Sequence, residues 1–204
     1  MILGSIVSLF IGRKYDYIFG FNMSALTGMV PAVLIKKLYK KPLMLWAQDI
    51  WPDSVYAYGF KKTKLLSLFL NWFVAKIYKN TTSIAISGKG FELKLKPYAN
   101  RNQKFHYLPN WPDELDMSLE AYEFSKEKKT HFTFAGNIGK VQNLENIIYA
   151  FLLLSSEYQK KAQFNIIGDG SNIDELKKIC TSKNIFFHGK KPREDMAKYY
   201  KSSD

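Results

Sequence analysis

The chain has 204 residues and a mass of 23.7 kDa, room for one large domain or two small ones, and its 47% hydrophobic content is enough for a packed interior. A single cysteine, Cys180, excludes an internal disulfide and a cysteine-rich zinc site, and suits a reducing cytosol. The net charge of +12 lies wholly in the first half: Met1–Asn110 carries 16 Lys and Arg against 4 Asp and Glu, and the remaining residues carry 14 against 14. Such an asymmetry predicts two domains with different partners, and a basic half rich in aromatics suits nucleic acid or an anionic membrane face.

The opening MILGSIVSLFIGRKYD has neither the basic n-region nor the small-residue cleavage site of a signal peptide, and no segment reaches the roughly 18 apolar residues of a spanning helix. An amphipathic helix leading into a strand is expected there. Strand-like and helical runs then alternate: strand Tyr15–Phe21, helix Ala25–Tyr39, strand Pro42–Gln48, a helix within Lys61–Lys79, strand Thr81–Ser87, helix Gly88–Leu95 and strand Phe105–Leu108. The stretch 111–130 bears prolines and then acidic residues, and reads as a linker between a first domain, 1–110, and a second, 131–204. Beyond it come strand His131–Ala135, helix Asn143–Ser156, strand Gln163–Ile167, helix Asn172–Thr181, strand Ile185–His188 and helix Arg193–Ser202. Alternation of this kind predicts α/β architecture, with two doubly wound parallel sheets covered on both faces and most aromatics inside. His106, His131 and His188 fall in strands without ligand spacing, so neutral imidazoles on sheet faces are expected, and no metal site.

In doubly wound folds ligands bind where strands end and loops turn into helices. The first such loop in the second half is GNIGKVQN. Gly136 and Gly139 permit a sharp turn, Asn137 tolerates a positive φ, the following helix offers N–H groups and a partial positive charge, and Lys140 adds a full one. A plain turn and a phosphate seat fit this loop equally well, because it lacks the spacing of a dinucleotide fingerprint or a P-loop. Next comes IIGDGSN, where Asp169 can bond nearby N–H groups, and then HGKKPRED. All three loops follow successive parallel strands and should gather along one sheet edge. In the first half, WAQDIWPDS ends a strand with Gln48 and Asp49 between Trp46 and Trp51. That set suits either a helix cap or the binding of sugar hydroxyls and ring faces, and SGKG, with Ser87 and Lys89, holds the equivalent place one strand later.

Taken in order, MLWAQDIWPDSV, FAGNIGKVQNLENII, FNIIGDGSNIDELKK and NIFFHGKKPREDMAKYYKSSD resemble family 4 of the retaining glycosyltransferases, in particular its bacterial O-antigen, capsule and exopolysaccharide members of the aminosugar transferase-like branch. The resemblance runs over almost the whole chain. It implies the GT-B fold, two Rossmann-like domains facing each other across a cleft, with the acceptor held mainly by the first and the nucleotide-sugar by the second. It makes Gly136, Asn137, Ile138 and Gly139 the turn at the donor diphosphate, with Lys140 and Gln142 beside it where relatives carry basic residues. Gly168, Asp169 and Gly170 then line the nucleotide side, and Lys190, Lys191 and Pro192 border the base. Gln48 and Asp49 stand where many relatives have a His-Asp pair, and Gln48 cannot act as a base, so no catalytic residue is assigned.

The resemblance further implies that the first domain begins midway and that the second stops before the acidic motif that contacts the donor sugar. The chain is thus expected to be an internal fragment, with both domains incomplete. The implied activity is transfer of a sugar from a nucleotide-diphosphate donor, a UDP-sugar by preference, to a lipid-linked glycan in bacterial surface polysaccharide synthesis, without a cofactor. The implied place is the cytoplasm, peripheral at the anionic inner face of the plasma membrane. Two other readings remain: a truncated remnant with residual nucleotide binding, and a basic nucleic-acid binder. The second is disfavoured by the expected burial of the aromatics. The segment GFKKTKLLSLFLNWFVAKIYKN fits both a packed helix with solvated lysines and a helix lying on the inner leaflet.

Overall fold

The computed structural model describes residues 2–23, 25–111, 114 and 118–204. By its internal contacts the chain divides into two compact units, Met1–Trp111 and Pro112–Asp204.

The first unit runs through α1 (Ile2–Ile11), β1 (Ile18–Asn22), α2 (Val30–Tyr39), β2 (Leu43–Ala47), α3 (Asp53–Ala57), α4 (Lys64–Lys79), β3 (Ser83–Ile86), α5 (Phe91–Leu95) and β4 (Lys104–Tyr107). Its four strands are parallel, in the order β1-β2-β3-β4. The helix expected over Ala25–Tyr39 opens as a 3-10 turn at Leu26–Met29, and α2 proper starts with a proline in its first turn, where a missing N–H costs nothing. Thr63 caps α4, its hydroxyl accepting from the Leu66 N–H at 3.3 Å, and the Asn80 side chain closes the far end on the Lys76 carbonyl at 2.6 Å. Leu70, Val74, Ile77 and Tyr78 recur at helical spacing and pack with Val33 and Leu95 onto Leu43, Leu45, Ile84 and Ile86. Side chains buried to this degree contribute about 1.5–3 kcal/mol each.

Side chains alternate across strands, so this core takes one face of the sheet. The register puts Phe19, Phe21, Met44, Trp46, Ala85 and His106 on the other. There the structure departs from expectation. Phe19 and Phe21 are exposed, their rings 6.2 and 5.1 Å from that of Trp46, and Trp46 in turn stacks on the exposed Trp111 at 6.4 Å. The first sheet is therefore covered on one face, and a good share of the aromatics is not interior.

The second unit runs through β5 (Thr130–Ala135), α6 (Leu144–Leu152), α7 (Ser156–Lys161), β6 (Ala162–Ile167), α8 (Ile173–Ile179), β7 (Ile185–Gly189) and α9 (Met196–Lys201). Its strands are parallel, in the order β5-β6-β7. The single helix expected over Asn143–Ser156 is two. The Gln159 side chain donates to the carbonyls of Leu152 and Leu154 at 3.1 and 2.9 Å, taking up the unpaired end of α6 and letting α7 start afresh. One face of this sheet packs Phe164, Ile166 and Ile185 against Leu144, Ile148 and Leu176.

The other face lies against α9 and a preceding segment. The Tyr122 N–H donates to the Lys198 carbonyl, and the Tyr122 and Phe124 rings lie 4.6 and 6.1 Å from that of Tyr199. Of the expected linker, residues 112, 113 and 115–117 lie outside the described residues, and its part around Tyr122 and Phe124 is packed structure. β6 is buried at all six positions, which is why its two amides need partners. Gln163 donates to Asn165 at 2.8 Å and to the Phe124 carbonyl at 3.4 Å, and Asn165 Oδ1 also meets His188 Nε2 at 2.9 Å.

Candidate nucleotide site at the edge of the second sheet

The three glycine-bearing and lysine-bearing loops do meet. They border a cavity of about 730 Å³ at the carboxyl ends of β5, β6 and β7. Gly136 and Asn137 line it from the first loop, Gly168, Asp169 and Gly170 from the second, and Lys190, Lys191 and Pro192 from the third. Arg193, Met196 and Tyr200 complete the wall, and none of these three had drawn notice in the sequence. They stand at and beyond the start of the last helix, where only folding brings them over the edge.

Backbone bonds between loops set this edge. The Gly136 N–H donates to the Ile167 carbonyl at 3.0 Å, Ile138 N–H to the Asp169 carbonyl at 2.9 Å and Gly168 N–H to the Gly189 carbonyl at 2.9 Å. The loops approach so closely that an added Cβ on Gly168 would fall 1.9 Å from the Gly136 oxygen, and one on Gly170 2.3 Å from that of Ile138. The glycines thus let two turns share one layer.

This geometry also revises the expected phosphate cradle. Ile138 is wholly buried in the core, and Ile138, Gly139, Lys140 and Gln142 are not among the lining residues. Gln142 does not reach outward, because its Oε1 accepts from the Gly139 N–H at 3.1 Å. Lys140 is exposed, and its charge acts on Glu175 of α8. Nor does the next helix start at the turn: a 3-10 turn over Lys140–Gln142 and Asn143, at φ +52°, intervene before α6. In the first turn of α6 Glu145 accepts from the Asn172 amide, so a carboxylate already meets that positive end. Within the first loop the Asn137 N–H is the donor with no acceptor among the described residues, and it faces the cavity region with Lys190 and Lys191 opposite. Behind the third loop His188 sits half-buried. Desolvation, and then the Lys191 charge, push its imidazole below the ordinary histidine range.

At the corresponding edge of the first unit the residues are tied to one another. Gln48 Oε1 accepts from Asn110 Nδ2 at 2.6 Å, and its N–H reaches the Asn22 carbonyl at 3.0 Å. The side-chain nitrogens of Gln48 and Asn22 are buried with no acceptor among the described residues. Asp49 accepts from the Ile50 N–H at 2.9 Å, the capping behaviour that was one of its two readings. Ser87 donates to the Ala47 carbonyl at 3.3 Å, and Lys89 stands 5.5 Å over the Tyr107 ring. Trp51, expected to offer a ring face, instead packs on the core with its ring 6.4 Å from that of Phe73, across a cis Trp51–Pro52 bond. The open tryptophan rings here belong to Trp46 and Trp111. Among the described residues no cluster of three His, Cys, Asp or Glu is placed to hold a metal ion.

A family profile described as "Glycosyl transferases group 1" matches residues 119–204. The chain is 28% identical over 170 residues to the probable glycosyltransferase WbjE of Pseudomonas aeruginosa, covering 75% of this chain and 41% of that protein. Among solved structures it resembles Anabaena Alr3699/HepE in complex with UDP-glucose, with a TM-score of 0.65 and 12% identity over 99% of this chain and 55% of that one. It also resembles WaaG, a glycosyltransferase involved in lipopolysaccharide biosynthesis, with a TM-score of 0.61 and 15% identity over 97% of this chain and 54% of that one. The chain therefore spans about half the length of these relatives or less. By its matching residues and its two parallel-sheet units, the chain belongs to the group 1 glycosyl transferases of GT-B fold.

Proposed function

We propose that the protein to which this chain belongs is a retaining glycosyltransferase that moves a sugar from a UDP-sugar to a lipid-linked glycan at the cytoplasmic membrane face, in synthesis of a bacterial surface polysaccharide. The observation that carries the donor half is the convergence of three loops on one cavity, with Lys190, Lys191 and the Asn137 N–H at its border. When the sugar–phosphate bond breaks, negative charge grows on the departing diphosphate, and fixed cations and N–H groups stabilise that charge before any solvent can reorganise. Lys190 and Lys191 are the residues we assign to the diphosphate end, with the base nearer Pro192. HepE binds UDP-glucose and WaaG and WbjE are transferases of this kind by name, which supports a uridine nucleotide and a surface glycan here.

Calorimetric titration with UDP and with uridine tests the donor half. UDP should bind more tightly than uridine, and Lys190→Gln with Lys191→Gln should weaken UDP more than tenfold, the loss of one or two charge-assisted bonds, while leaving uridine unchanged. Equal binding of UDP and uridine, or a double variant indistinguishable from the parent, would remove the diphosphate from this edge.

A further inference from the structure

α4 is apolar on both sides. Its inner face, Leu70, Val74, Ile77 and Tyr78, is accounted for by the core. Its outer face carries Leu65, Leu68, Phe69 and Trp72, which recur at i, i+3, i+4 and i+7 and so form one stripe. They are 81%, 61%, 56% and 57% exposed. Scattered exposed leucines need no explanation, but a contiguous stripe ending in a paired Phe69 and Trp72, 6.1 Å apart, is a surface built to meet something apolar. Just upstream, Tyr58 and Phe60 are exposed as well.

The charges around the stripe name the partner. Lys61, Lys62 and Lys64 stand at its start, Lys76 and Lys79 continue it, and no acidic residue occurs between Asp53 and Glu92. None of these five lysines has an ion-pair partner among the described residues, and Lys62 turns instead over the Tyr56 ring. An apolar row with tryptophan at its edge and cations at both ends is the pattern of a helix that lies in the interface of an anionic bilayer. A second copy of the chain fits poorly, because pairing two such stripes in either direction sets lysine clusters against each other.

We propose that the outer face of α4 docks this unit on anionic lipid, its leucines and Phe69 entering the headgroup boundary while the lysines meet lipid phosphates. This deepens the membrane-face reading above by naming the surface. It is separable from the donor assignment, since UDP titration without lipid concerns the other unit.

Co-sedimentation of the whole chain with vesicles of phosphatidylglycerol and phosphatidylcholine in equal parts, and with phosphatidylcholine alone, tests the proposal. Binding should be confined to the anionic vesicles, fall with added salt, and drop about a hundredfold when Lys61, Lys62 and Lys64 become glutamine, at roughly fivefold per lysine. Leu65→Ser with Phe69→Ser should also reduce it, and these exposed positions leave the core untouched. Trp72→Phe should remove most of the blue shift in tryptophan emission that accompanies binding. Equal pelleting with neutral and anionic vesicles, or undiminished binding by the serine variant, would overturn the proposal. So would a concentration-dependent dimer without lipid that the serine variant abolishes, since the stripe would then be a self-interface.

Discussion

Gly168→Ala is the sharpest probe of the loop layer. The added methyl would sit 1.9 Å from the Gly136 oxygen and 3.0 Å from its carbonyl carbon, at a backbone φ of +140° that a side chain rarely adopts. An ordinary carbon–oxygen contact needs about 3.3–3.6 Å, so the Gly136 carbonyl must retreat by more than about 1 Å. The retreat pulls on the Gly136–Ile167 and Ile138–Asp169 bonds that hold the two loops together. Backbone strain of about 1–3 kcal/mol, overpacking of similar size and one weakened hydrogen bond add to roughly 3–6 kcal/mol, much of what a small unit has to lose. Gly189→Ala is the control, because φ is again positive, +69°, but nothing lies within 4 Å, and about 1–2 kcal/mol is expected. All four tryptophans, at 46, 51, 72 and 111, lie in the first unit, so their emission during urea unfolding should be unchanged in both variants. Amide exchange in the β5–β6 peptides should accelerate strongly in Gly168→Ala and slightly in Gly189→Ala. Equal acceleration in the two would refute the close-approach argument.

Tyr78→Phe should stabilise the first unit by about 1 kcal/mol, because the hydroxyl it removes is wholly buried and has no partner among the described residues, as tryptophan-detected urea unfolding will register. Gln142→Ala frees the Gly139 N–H and should leave UDP affinity equal or raise it by up to about fivefold, whereas a direct diphosphate role for Gln142 requires a loss on calorimetry. Because the folded state holds His188 below its ordinary pKa, the unfolded chain binds the proton first as pH falls through about 6.5. The second unit should therefore be at full stability above that pH, lose stability below it, and level off once the folded imidazole also protonates. Exchange-detected unfolding of His188→Gln should show a flatter pH profile.

The alternation of strands and helices was legible because β-branched and aromatic runs such as FNII and IFF contrast with the periodic apolar positions of α6 and α8. Parallel topology then placed three loops at one edge without further information. What escaped was side-chain direction. Ile138 and Gln142 lie within the turn, yet one faces the core and the other folds back on Gly139, and no spacing rule separates those outcomes from a ligand contact. Arg193, Met196 and Tyr200 reach the cavity through tertiary folding of α9. Trp51 and Trp46 are five residues apart in one motif, but the cis bond after Trp51 and the core around Phe73 turn the first inward, while β2 holds the second on the open sheet face.

The segment at Tyr122 and Phe124 bears on where the chain can be divided. Its aromatic rings roof the amides of β6 and the imidazole of His188, and the Phe124 carbonyl is one of the acceptors for Gln163. A second half expressed from Thr130 onward would thus expose a polar pair and two histidines that the intact unit shields, and would start life with an adhesive, unroofed sheet. Starting instead ahead of Leu119, whose carbonyl accepts from Lys201, keeps the roof and its last tie together.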